Sequence, residues 1–136
     1  MFTGLLHAHS GLRYVVLIAG IAALTWALFG LVTKRPYGRP MRILGAAYAG
    51  LLHLQVVLGL VLLVVGATRT EVWIHMAIML CAAVVAQLPA SILKRRPVEE
   101  RTFGIHAGGI LLSLVLIWLA LMPFGIGLFG SNAFAP

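Results

Sequence analysis

Charge is what this sequence has least of: of 136 residues only three are acidic and ten basic, a charged share of 10%. A soluble domain charges about a quarter of its residues, so this chain cannot build a water-facing surface. Cysteine is nearly absent as well. The single Cys81 has no intramolecular partner, which excludes a disulfide scaffold and Cys-x-x-Cys chemistry. No Ser/His/Asp combination and no glycine-rich phosphate loop is present, which argues against hydrolase or nucleotide-dependent chemistry.

What the chain has in quantity is apolar side chain, 62% of residues, with a mean hydropathy of +1.07. That composition belongs in a bilayer. Crossing about 30 Å of hydrocarbon takes about twenty helical residues, and four runs reach that length, over about 9–33, 43–65, 71–93 and 102–122. Lys34-Arg35-Pro36 stops the first, residues 66–70 close the second, Pro89 sits in the last turns of the third, and Pro123 with the glycine-containing segment 125–136 follows the fourth. The first run lacks a positive leader region and reads as a retained span. The expected fold is all-α: one domain over 1–136, an integral membrane antiparallel four-helix bundle in contact with lipid.

The net charge of +7 comes from two clusters, Lys34/Arg35/Arg39/Arg42 and Lys94/Arg95/Arg96/Arg101, which flank apolar runs. That is the pattern of juxtamembrane loops at a headgroup surface, not of a nucleic-acid binder. The second loop carries only Arg69. The positive-inside rule therefore puts both basic loops in the cytoplasm and both termini on the outer side of a bacterial inner (cytoplasmic) membrane, a multi-pass arrangement.

Five histidines in so apolar a chain are the informative feature, and each span carries at least one. An ionisable side chain in hydrocarbon is costly unless it faces the bundle interior and finds a partner; near a span end it can also sit among headgroups or bond a neighbouring carbonyl. Two axial ligands of one planar cofactor need similar depth. By helix rise, His9 and His75 both fall near the outer surface, whereas His53 lies near mid-membrane and His106 closer to the basic side, a mismatch of about 9 Å. Arg13, at i+4 from His9, shares its face. A haem bound edge-on would turn its propionates to the outer side, where Arg13 and Arg69 are the available cations and His9 and His75 the candidate pair of iron ligands; the alternative for Arg13 is snorkelling to the interface. His53 and His106 are left to hold a second haem, line a quinone pocket or bond to backbone.

Small residues on the same faces would let a flat macrocycle approach: Ala46, Ala49 and Gly50 with His53, Ala82 and Ala86 with His75, and Gly109 and Ser113 with His106. The same spacing also serves close helix packing. Zinc would need three or four grouped ligands, which are missing, and copper on His7, His9 and Met79 has no spacing signature. Gln55 and Gln87 fit interhelical hydrogen bonds or a quinone carbonyl.

Three segments, His7-Ala8-His9-Ser10-Gly11-Leu12-Arg13-Tyr14, His53-Leu54-Gln55-Val56-Val57-Leu58-Gly59-Leu60 and Ile74-His75-Met76-Ala77, resemble small bacterial cytochrome b-like membrane proteins. Their order also resembles one half of haem A synthase, whose four-helix bundle holds b-type haem between two histidines, with a Gln-x-x-Leu-Gly helix between the ligand-bearing helices. On that resemblance Gln55 to Gly59 match the middle helix, and His9 and His75 the ligand positions. This chain has one four-span unit and no acidic residue near His9, so haem A synthesis is not implied. What is implied is bis-histidine haem b binding, with one-electron transfer to a quinone or a partner in a larger respiratory or redox complex. Any enzymatic activity is then expected to be redox. The alternative reading is a haem-free accessory or structural subunit of a larger membrane complex.

Overall fold

The computed structural model describes residues 1–66 and 69–125; part of the expected close of the second span, 67–68, and the end of the tail, 126–136, lie outside them. Four long helices carry the fold: α1 Phe2–Val32, α2 Arg39–Val65, α3 Thr70–Lys94 and α4 Phe103–Leu121, with single 3₁₀ turns at Val98–Glu100 and Met122–Phe124. Among the described residues there is no strand. All four are long and apolar enough to cross a membrane, which makes this a multi-pass membrane protein.

Two boundaries differ from the sequence expectation. α1 begins at Phe2, not near residue 9, because no charge or proline interrupts residues 2–8; His9 therefore stands inside the helix, not at its mouth. α2 begins at Arg39, not near 43, with Pro40 in its first turn, where the missing N–H has no intrahelical bond to lose. Arg39 and Arg42 thus ride on a helix and are aimed by it.

The buried stripes explain why these helices pair. α1 buries Arg13, Val16, Leu17, Gly20, Ala23, Ala27 and Gly30, a stripe with steps of three and four made mostly of small residues. The large aliphatics point the other way, with Ile18, Val64 and Val84 more than half exposed. This inverts a soluble bundle: lipid solvates leucine as well as the core does, so close packing and internal hydrogen bonds decide which face turns inward. Gly109 is the clearest case. A Cβ there would collide with Pro89 Cγ, so α3 and α4 cross at a point that admits no side chain.

α1 and α3 each pack against both α2 and α4. Early α1 meets late α2 (His9 beside Gly59), and Gly20 of α1 lies against Tyr48 of α2 and Leu114 of α4. The α2–α4 diagonal is bridged by buried side chains: Tyr48 Oη and Ser113 Oγ are 2.6 Å apart, and Ser113 also donates to the Ile110 carbonyl at 2.8 Å. A buried hydroxyl pair in an apolar bundle is satisfied only in this register, which helps fix how the helices align. Ser113, expected beside a flat slot under His106, is taken up by this bond, and Gly109 by Pro89.

Candidate functional site

A cavity of about 270 Å³ opens between α1 and α3 at the end of the bundle remote from the basic loops. Its wall includes His9, Arg13, Gln55, Arg69, His75 and Met79. Each polar member arrives by a separate local cause. His9 and Arg13 are one turn apart on the inward stripe of α1, Gln55 lies on the buried face of α2, His75 stands in the second turn of α3, and Arg69 is the residue that caps that helix. The rest of the lining is apolar and includes Phe2, Val16, Leu17 and Phe124.

Within the cavity the His9 and His75 rings meet edge to face, centroids 6.2 Å apart with planes at 76°. One metal ion held between two imidazole nitrogens spans about the same distance, since two metal–nitrogen bonds of about 2 Å add to two ring radii of about 1.1 Å. His75 Nδ1–H donates to the Ala120 carbonyl at 2.9 Å. That bond fixes the tautomer and leaves Nε2 with its lone pair, the arrangement seen behind metal-binding histidines. His9 is positioned differently: Gln55 Nε2 donates to its backbone carbonyl at 2.9 Å, tying α1 to α2 at the height of the ring. His9 Nδ1 and Gln55 Oε1 are buried without a hydrogen-bond partner among the described residues. Buried polar atoms are normally paired, so each marks a need that a ligand or water meets.

Gly59 completes the wall. A Cβ there would lie 3.0 Å from Met76 Cε and 3.3 Å from His9 Cε1, so this glycine keeps open the space beside the His9 ring. Arg13 is only 8% exposed; its guanidinium donates to Tyr14 Oη at 3.0 Å and lies 4.8 Å from that ring's centre. Arg69 pairs with Glu71 at 3.3 Å on the exposed rim.

No known protein family, curated protein or solved structure matches the chain.

The structure brings His9, His75, Arg13 and Arg69 together and leaves the other two histidines elsewhere. His53 is exposed on the outer face of α2, its Nδ1–H donating at 2.6 Å to the Ala49 carbonyl of its own helix, and it lines neither cavity. Ala46 and Gly50 are exposed while Ala49 is buried, so they form no slot with His53. His106 is 2% exposed and bonds through Nε2 to Tyr37 Oη at 2.8 Å. The two rings stack, centroids 5.6 Å apart at 16°. Gly45 makes room for them, because a Cβ there would fall 2.8 Å from His106 Cε1. Tyr37, in the loop after α1, carries a phenol pKa raised by burial, with Arg42 and Arg101 opposing the shift. His7 is exposed, and among the described residues no three His, Cys, Asp or Glu side chains group to hold a metal ion.

Sequence reasoning assigned no site role to Tyr37 or Gly59. An aromatic inside a basic loop was the available signal for the first. Gly59 carries none beyond its place in the Gln-x-x-Leu-Gly string, since its contact with His9 exists only once α1 and α2 pack.

Proposed function

We propose that this chain is a cytochrome b-like inner-membrane protein of bacterial type, an antiparallel four-span bundle with both termini outward, that binds haem b between His9 and His75. The observation that carries this reading is the 6.2 Å separation of the two imidazoles across the cavity. The donor set suits the group: neutral imidazoles can ligate iron, the apolar wall would take a macrocycle, and Arg13 and Arg69 would supply cations to its propionates. At about 270 Å³ the cavity is far larger than a bare ion needs. When bound, the haem supplies one-electron transfer.

The protein's own residues have separate tasks. The Ala120 carbonyl holds the His75 ring in one tautomer, while Gln55 anchors the His9 backbone. His9 and His75 would together hold the haem, and a haem held by two histidines would serve electron transfer to a quinone or a respiratory partner rather than oxygen chemistry.

The decisive experiment is a reduced-minus-oxidised visible spectrum of protein purified from membranes, with the haem-to-protein ratio. A low-spin spectrum near one haem per chain is expected, lost in His9→Ala and in His75→Ala. Retention of that spectrum in both variants would reject the ligand assignment. Colourless protein with intact helical circular dichroism would favour the haem-free accessory subunit.

A further inference from the structure

A second cavity, of about 420 Å³, lies at the basic end of the bundle. Four cations line it, Arg39 and Arg42 on α2, Lys94 at the end of α3 and Arg101 before α4, together with Tyr37 and His106. They come from separate parts of the chain, so this is a concave site assembled by the fold and not a basic run lying on a surface. No carboxylate lines this cavity: Glu99 and Glu100 sit in the adjoining loop outside the lining, and among the described residues the ion pair is Arg69 with Glu71, at the start of α3. Four uncompensated positive charges converging on one hollow repel each other until an anion enters.

The rest of the lining says what kind of anion. Ile43 and Ala46 on α2 and Ala90 and Leu93 on α3 form an apolar wall. Ile43 and Ala46 are exposed on the flank of α2, so this wall runs on into the bundle's lipid-facing surface. Charge at the mouth and hydrocarbon along the wall match an amphiphile entering from the membrane, not a solute entering from water. Tyr37 and His106 shape the inner side: their 2.8 Å bond and stacked rings hold the loop of residues 33–38 against α4. Arg101, whose Nε donates to the Arg96 carbonyl at 3.1 Å, is held in place from the other side.

We propose that this cavity binds one anionic phospholipid, its phosphate among Arg39, Arg42, Lys94 and Arg101 and an acyl chain along Ile43, Ala46, Ala90 and Leu93. Basic pockets between membrane helices are suited to phosphate headgroups because the guanidinium fork meets phosphate oxygens two at a time. The site is separate from the His9/His75 cavity and stands whether or not haem binds there.

Native mass spectrometry of the full chain in detergent, titrated with phosphatidylglycerol or with phosphatidylcholine, tests it. One phosphatidylglycerol is expected to be retained and phosphatidylcholine not, with thermal stabilisation by the first alone. Arg42→Gln with Arg101→Gln should weaken retention at least about tenfold, and the lysine versions should restore most of it. Arg35→Gln with Arg95→Gln, which removes two cations outside the cavity, should change it little. Equal losses in both double variants would mean attraction to the basic rim as a whole and would overturn the site. Equal retention of the two lipids would overturn it too. Displacement of the lipid by inorganic phosphate, with the same stabilisation, would make this a soluble-anion site and reject the membrane source.

Discussion

At the scale of single residues, the His9/His75 cavity is shaped by exclusion as much as by contact. Gly59 matters through the atoms it lacks, since any side chain there enters the space next to the His9 ring. Gly59→Leu is expected to leave the four helices intact and to lower the haem-to-protein ratio about tenfold, through the overpacking cost of a filled wall. Gly59→Ala should be milder, because Met76 Cε is the end of a flexible chain that can move. Haem content per chain, measured with circular dichroism as a folding control, separates these outcomes. His9 and Arg13 were legible as a pair from their i, i+4 spacing. What spacing could not reveal was that Gln55 holds the His9 carbonyl from another helix.

At the scale of elements, helix pairs are set by small residues that let backbones approach. Gly109 packs on the Pro89 ring, which cannot swing aside as a flexible chain would, and a Cβ at 109 would also lie 3.5 Å from the Val85 carbonyl oxygen. Gly109→Ala should therefore force α3 and α4 apart and destabilise the fold by about 1–3 kcal/mol. Gly108→Ala, one residue earlier with open space around it, should be neutral or slightly stabilising through helix propensity. Thermal melts of the two variants in one detergent check the contrast. Helix starts were the least legible element feature. A proline in the first turn and an N-terminus free of proline and of Lys, Arg, Asp and Glu both lengthen helices beyond the points where hydrophobic runs alone place them.

At the scale of the whole molecule, the polar groups divide between two ends. The cavity remote from the basic loops holds two histidines and two arginines, the other end four cations with Tyr37 and His106. If the positive-inside rule orients the chain, a membrane-impermeant thiol reagent added to intact cells should label Thr70→Cys and not Arg96→Cys, both in a Cys81→Ala background. The reverse labelling pattern would place the His9/His75 cavity on the cytoplasmic side.

Composition and run length alone determined that this chain crosses a membrane four times as helices, because the cost of bare backbone in hydrocarbon leaves a helix as the local solution for each apolar run. They also placed His9 and His75 near the same end of the bundle, since rise per residue is constant. Which face of each helix turns inward was decided only by tertiary structure. His53 and His75 are both histidines in apolar helices, yet one bonds its own helix and faces outward while the other meets His9 across a cavity. The difference arises because lipid and core are equally apolar, so orientation follows from small-residue contacts and buried hydrogen bonds between helices far apart in sequence.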